Sequence, residues 1–197
     1  MIYVVSGFMR TGTSMMMDAL TAGGLESAFD PDREKLNDKY GDENYKPNPN
    51  GFYELSRKEY KDDFFPLPFE GKLVKCLMGG LTGFPVNEYK TVFMRRNREE
   101  IRQSFEAFFQ PKDKGADRMR YFMENKFEAL TSKALALLRN RKDTEVTEIW
   151  YRDVVRHPLQ VFEYTQSKGF PIDPVAAANT VDPSLCRFKE EKLVKGL

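Results

Sequence analysis

The segment Gly7-Phe8-Met9-Arg10-Thr11-Gly12-Thr13-Ser14 spaces two glycines around one cation and follows them with hydroxyls. Backbone N–H groups in such a loop, at the start of a helix, wrap an anion, and Arg10 is placed to brace a phosphate in the loop or a leaving group just outside it. The lysine that a nucleotide triphosphatase sets before its Ser/Thr is replaced by Thr13, so nothing obvious reaches a γ-phosphate. A tight strand-to-helix turn would use the same glycines. A second basic block, Arg95-Arg96-Asn97-Arg98, is followed by Glu99-Glu100 and then by Ser104. A guanidinium at a strand end forks two phosphate oxygens, and a hydroxyl two helical turns later adds a third contact. The competing reading of that block is a solvated basic face. Lys75, at the end of another apolar run, offers one more cation.

These groups need elements to hold them. Residues 2–6 form a β-branched and aromatic run expected as a buried strand, and residues 13–22 carry Met16, Met17 and Leu20 at helical spacing before Gly23-Gly24. A short strand is expected over 25–29. Residues 30–51, rich in Asp, Asn, Pro and Lys, read as a long surface loop. Residues 72–77 and 91–94 are two further strands, the second leading into a charged helix with Ile101, Phe105, Phe108 and Phe109 on one face. Met119, Met123, Phe127, Leu130, Ala134 and Leu137 make a stripe expected to run through one longer helix as core. Residues 145–150 are a last strand and 159–168 a last helix, closed by Gly169 and Pro171. Strands alternating with helices, without repeats, imply one α/β domain over residues 1–197 around a mostly parallel sheet.

Composition narrows the function. With 31 Lys+Arg against 30 Asp+Glu over 197 residues, the formal charge of +1 argues against a nucleic-acid partner, so any basic site is local. Cys76 and Cys186 fit neither a metal-ligand spacing nor a disulfide scaffold, which makes the cytoplasm the expected compartment. No apolar run approaches the roughly 20 residues of a membrane span, and Met1-Ile-Tyr-Val-Val lacks the basic start of a signal peptide.

The loop Gly-Phe-Met-Arg-Thr-Gly-Thr-Ser resembles the 5′-phosphosulfate loop of sulfotransferases that use 3′-phosphoadenosine 5′-phosphosulfate (PAPS). The run Tyr89-Lys-Thr-Val-Phe-Met-Arg-Arg-Asn-Arg-Glu-Glu-Ile-Arg-Gln-Ser104 is similar to that family's 3′-phosphate block, departing from it at Arg98, where proline is common. Leu73-Val-Lys75-Cys-Leu77 resembles the family's Lys-Thr-His strand, with Leu77 where the histidine stands. Glu148-Ile-Trp-Tyr151-Arg-Asp resembles its Tyr-Glu-Asp strand end, and Asn48-Pro-Asn-Gly-Phe-Tyr-Glu54 is similar to a segment of small bacterial members.

The resemblance implies a three-layer α/β/α P-loop-like fold and, as cofactor, PAPS with the product 3′-phosphoadenosine 5′-phosphate (PAP), without a metal. It implies cofactor contacts from Arg10, Thr11, Gly12, Thr13 and Ser14, a 3′-phosphate held by Arg96 and Ser104, Tyr151 bordering the adenine, and Lys75 near the transferring sulfuryl group. The base is expected to be a carboxylate, Glu54 or Asp30, with Asp32 a third candidate, since Leu77 accepts no proton and His157 beside Pro158 reads as a loop or cap residue. Apolar neighbours of Glu54 favour a raised pKa, whereas Asp30 opens an Asp-Pro-Asp turn that explains it without chemistry. The acceptor is an unidentified small molecule, glycan or peptide, and Phe52, Tyr53, Phe64, Phe65 and Phe69 are candidates to line its pocket. Two other readings stay open: a P-loop kinase of a small molecule or nucleotide, and a nucleotide-binding domain without catalysis.

Overall fold

The structure is a computed structural model and describes residues 1–35, 51–55, 67–81, 83–108 and 114–187. Most of the expected long loop, Phe64 and Phe65 lie outside the described residues. In chain order the elements are β1 (Ile2–Gly7), α1 (Thr13–Ala22), β2 (Ser27–Ala28), α2 (Pro31–Glu34), β3 (Leu73–Lys75), α3 (Met78–Leu81) and β4 (Tyr89–Arg95). They continue as α4 (Arg98–Phe108), α5 (Lys114–Asn125), α6 (Phe127–Asn140), β5 (Thr144–Trp150), α7 (Tyr151–Arg156), α8 (Pro158–Ser167) and α9 (Pro174–Asn179).

The strands form a five-stranded sheet in the order β2-β3-β1-β4-β5, and every pairing is parallel. Parallel neighbours demand crossovers, and helices supply them. Because β1 lies between β3 and β4, the chain reverses its direction of travel across the sheet at β1. The crevice outside the carboxyl end of such a strand is where open α/β sheets bind ligands.

Residue alternation on the strands builds two apolar layers. Ile2, Val4, Val74, Tyr89 and Phe93 face one cluster with Ile101, Met123, Phe127 and Leu135, from α4, α5 and α6. Val5, Leu73, Val92, Met94 and Ile149 face the other, with Met16 and Leu20 of α1, Val154 of α7, Phe162 of α8 and Ala177 of α9. The architecture is therefore α/β/α in three layers, as expected. Among the described residues no helix is long and apolar enough to cross a membrane.

Besides α2, which lies inside the expected loop, and α3, which the spacing does not announce, the structure departs from the expected elements in three places. The long stripe is two helices, broken at Lys126, whose backbone leaves the helical region at φ −131. The Phe127 ring lies edge-on to Phe8, with centroids 5.2 Å apart; Met123, Phe127 and Ala134 are core as expected, whereas Leu130 and Leu137 are exposed, the buried face of α6 running instead through Leu135 and Leu138. Tyr151 is the first residue of α7 rather than a strand end. A further helix, α9, follows the turn at Gly169, and its start is written in Asp173-Pro174: the Asp173 carboxylate accepts from the N–H of Val175 at 2.8 Å and of Ala176 at 3.3 Å.

Asp173→Ala removes that cap, and the Asp173 N–H also anchors to the Gly23 carbonyl behind α1. The expected loss is ~1 kcal/mol, read as a lower urea midpoint at unchanged slope.

Candidate functional site

The loop between β1 and α1 sits at the switch point. Its shape is fixed by the Thr11 hydroxyl, which donates to the Phe8 carbonyl at 2.6 Å, and by two left-handed residues, Arg10 at φ 66 and Gly12 at φ 94. Gly12 has a steric as well as a conformational reason to be glycine, since a Cβ there would lie 2.5 Å from Cδ2 of Tyr151. It precedes the first turn of α1, which has neither a side-chain cap nor an acidic residue, so the helix presents its amide end to an anion.

On the β4 side stands a cluster of guanidinia around one buried carboxylate. The Arg10 Nε donates to the Ser104 hydroxyl at 2.9 Å, and the Arg96 Nη1 donates to the Arg10 carbonyl at 3.1 Å. Arg96 Nε and Arg152 Nε bond the two oxygens of Glu100 at 3.0 and 2.7 Å, and Glu100 is 1% exposed. The Arg96 guanidinium also lies 4.0 Å over the ring of Tyr151. Burial pushes the Tyr151 hydroxyl up to about 12 even against the Arg96 charge that favours ionisation. The residues expected at a 3′-phosphate, Arg96 and Ser104, and the cation expected at a leaving group, Arg10, thus form one bonded set. The left-handed backbone of Arg10 is held by those contacts from both ends.

On the β3 side stands a second cluster. Lys75 ends β3, is 4% exposed, and points to the α1 face of the sheet beside Leu73. Its ammonium donates to the Ser14 hydroxyl at 3.0 Å and to the Phe52 carbonyl at 2.6 Å, and lies 3.8 Å from Glu54 Oε1. Burial lowers the Lys75 pKa to about 8, with Glu54 and Glu34 opposing the shift and Arg10 adding to it. Glu54 reaches this position because its backbone bridges Lys75 in parallel register, extending the sheet beside β3. Asp30 stands next to the same segment, its N–H bonded to the Glu54 carbonyl, but its carboxylate accepts from the Asp32 N–H at 2.8 Å as part of the turn into α2. Asp32 pairs with Lys35 at the surface.

The structure therefore gathers Arg10, Thr11, Gly12, Thr13, Ser14, Lys75, Glu54, Arg96, Ser104 and Tyr151 around the carboxyl ends of β1, β3 and β4, with Asp30 at the margin. His157 lies apart, between α7 and α8. Cys76 is buried in the core, where desolvation pushes its thiol up to about 12, and neither cysteine is in a disulfide. Beside the loop a cavity of about 450 Å³ opens between Phe8, Thr11, the Arg95–Asn97 bend and Trp150. Arg95 lies 5.1 Å over the Trp150 ring and pairs with Glu148 at 2.8 Å. Two participants carry no motif: Glu100, which the i,i+4 spacing from Arg96 hints at, and Glu34, whose partners are 18 and 19 residues away in sequence. Among the described residues no group of three or more His, Cys, Asp or Glu is placed to hold a metal ion.

No protein-family model matches the chain. No curated protein matches it significantly. Among solved structures, the unliganded crystal structure of a sugar kinase from Janibacter sp. HTCC2649 aligns over 88% of this chain and 96% of its own, at 14% identity and a TM-score of 0.42. A superposition that loose bears on neither the fold nor the chemistry of this chain.

Glu100→Gln leaves the Arg96 and Arg152 guanidinia facing each other without their shared counter-charge. Loss of one partner from a buried ion cluster costs ~3–5 kcal/mol, so equilibrium unfolding in urea shows a correspondingly less stable chain. Added sulfate recovers part of the loss by supplying an anion to the two guanidinia.

Proposed function

We propose that the chain is a sulfotransferase that takes the sulfuryl group from PAPS and passes it in line to a hydroxyl or amine. The observation that carries this reading is the Lys75–Ser14 bond of 3.0 Å. In a P-loop kinase or NTPase the hydroxyl at the position of Ser14 seats Mg²⁺, helped by an aspartate at a neighbouring strand end. Here β3 ends in a lysine instead, and its ammonium already occupies that hydroxyl. The resident cation supplies the positive charge that a kinase draws from the metal and opposes the entry of a second one. Thr13 in place of the usual loop lysine fits the same reading, because a phosphosulfate has no γ-phosphate for that lysine to reach.

PAPS would supply an activated sulfuryl group on an adenosine carrying a 3′-phosphate. The loop amides, the α1 N-terminus and Arg10 are the groups suited to the charge that grows on the departing phosphate. Arg96 and Ser104 suit the 3′-phosphate, and Lys75 the sulfuryl oxygens. Glu54, at the mouth beside Lys75, is the carboxylate suited to take the acceptor proton, whereas the carboxylate of Asp30 already serves its own turn. The acceptor enters from the side of Phe52 and Tyr53.

The test compares PAP with ATP plus magnesium by calorimetry and follows labelled sulfate from PAPS to phenol, amino-sugar and tyrosine-peptide acceptors. Tight PAP binding with label transfer supports the proposal; preference for ATP with magnesium replaces it with a kinase, and PAP binding without transfer replaces it with a nucleotide-binding domain. Arg96→Ala is expected to weaken PAP by ~10- to 100-fold more than adenosine 5′-phosphosulfate, the worth of a charge-assisted contact of ~1.5–3 kcal/mol. Equal weakening of the two removes the 3′-phosphate assignment. Glu54→Gln is expected to lose ~100-fold in kcat while PAP affinity survives; near-normal turnover removes Glu54 as the base.

A further inference from the structure

Glu34 closes α2 and takes no part in the chemistry proposed above, yet its carboxylate is fully engaged. One oxygen accepts the Phe52 N–H at 2.7 Å, and the other accepts the Tyr53 N–H. These bonds hold a turn that passes through positive φ twice, at Gly51 (φ 121), where glycine adopts it freely, and at Tyr53 (φ 56), where a side chain makes it costly. The fit at Gly51 is close, since a Cβ there would lie 2.7 Å from Glu34 Oε2. The far end of the turn is tied by the Tyr53 hydroxyl, which donates to Asp18 on α1 at 3.1 Å. The carbonyl between the two held amides is that of Phe52, and it accepts the shortest bond that Lys75 makes, at 2.6 Å.

We propose that Glu34 is a positioning residue for Lys75: by fixing the turn at residues 51–53 it aims the Phe52 carbonyl at the ammonium, keeps water from it and holds it on the Ser14 hydroxyl. Only the catalytic consequence of this inference rests on the sulfotransferase reading. The placement itself concerns the unliganded chain. The charged groups bearing on Lys75 are Glu54 from the bridging segment, Glu34 from α2 and Arg10 from the loop, and burial outweighs the attraction of both carboxylates.

That balance gives the two roles of Glu34 opposite signs. If Glu34 acted only as a nearby negative charge, its removal would destabilise the ammonium and lower the Lys75 pKa further. If it holds the turn, its removal opens the site, water reaches the amine, and the pKa rises toward the ordinary lysine value of about 10.4. The experiment is a pH titration of the lysine ¹³Cε signals in the full labelled chain, with Lys75 assigned by its loss in Lys75→Met. Glu34→Ala is expected to move the Lys75 midpoint up and to speed hydrogen exchange at the Phe52 and Tyr53 amides. Glu54→Gln, which removes charge without freeing the turn, is expected to move it down. Gly51→Ala disturbs the turn while keeping the Glu34 charge, so it is expected to raise the midpoint as Glu34→Ala does, and it carries the test alone if Glu34→Ala fails to fold. A midpoint that falls or stays in the turn variants overturns the proposal. With PAPS and a phenol acceptor, Glu34→Ala is further expected to lose ~10-fold or more in kcat with PAP affinity within ~3-fold, the pattern of a misplaced catalytic group. A chain that binds no PAP but shows the upward shift loses the sulfotransferase reading and keeps this one.

Discussion

The arrangement at the mouth of the sheet follows from keeping the Lys75 ammonium almost entirely out of water. A buried charge is tolerated only when acceptors surround it, and the pleat of β3 restricts where they come from. Lys75 shares a face with Leu73, toward α1, so its acceptors must come from α1 and from whatever chain crosses above the strand end. Ser14 answers from the helix, and residues 51–55 answer from above with the Phe52 carbonyl and Glu54. The crossing segment is fastened in turn by Glu34, by the Asp30 N–H on the Glu54 carbonyl, and by Tyr53 on Asp18. A chain stretch with little regular structure of its own is thus ordered by what a single lysine needs.

Topology explains why the site has two unlike halves. The loop after β1 projects between the strands on either side, so it meets what each of them ends in: Lys75 on β3, Arg96 just beyond β4. In the β3 half a single cation, Lys75, is almost wholly buried. The β4 half is broad, because three guanidinia crowd there and Glu100 must be buried with them to hold two in place. Arg10 spans the halves, accepting Arg96 on its carbonyl, giving its Nε to Ser104, and lying near enough to Lys75 to weigh on its proton affinity.

Local signals carried most of the fold. The strand runs, Gly7 and Gly12 around the loop, the apolar spacing of α1, and Ile101 and Phe105 on one face of α4 agree with the elements seen, because each is set by neighbours within a few residues; Phe109 lies outside the described residues. Periodicity alone does not locate the end of a helix. Met123 and Phe127 keep a helical spacing across the break at Lys126 although the backbone does not, and side-chain pattern is blind to that. The start of α9 is legible in Asp173-Pro174, a side-chain cap followed by a proline in the first turn. For the site, Arg96 just before α4 and Ser104 on it both meet Arg10, and their local spacing is readable, as is the i,i+4 link from Arg96 to Glu100. Glu34 carries no such mark, since its partners are backbone amides far along the chain, and backbone amides have no residue signature.

The compensation of charge inside the site bears on what kind of anion suits it. Arg96, Arg152 and Lys75 are already matched by Glu100, Glu54 and Glu34, in keeping with a whole chain that is balanced to +1. An entering anion therefore exchanges partners rather than finding bare cations, and its gain at either half is the difference between a new charge-assisted bond and the one it replaces. For a single small anion that difference is modest. A ligand with anionic groups at both ends collects it at the Lys75 half and at the Arg96 half, while the cost of losing its free translation and rotation falls on it once. Charge compensation at both halves thus lowers the gain of any single small anion more than that of a ligand anionic at both ends.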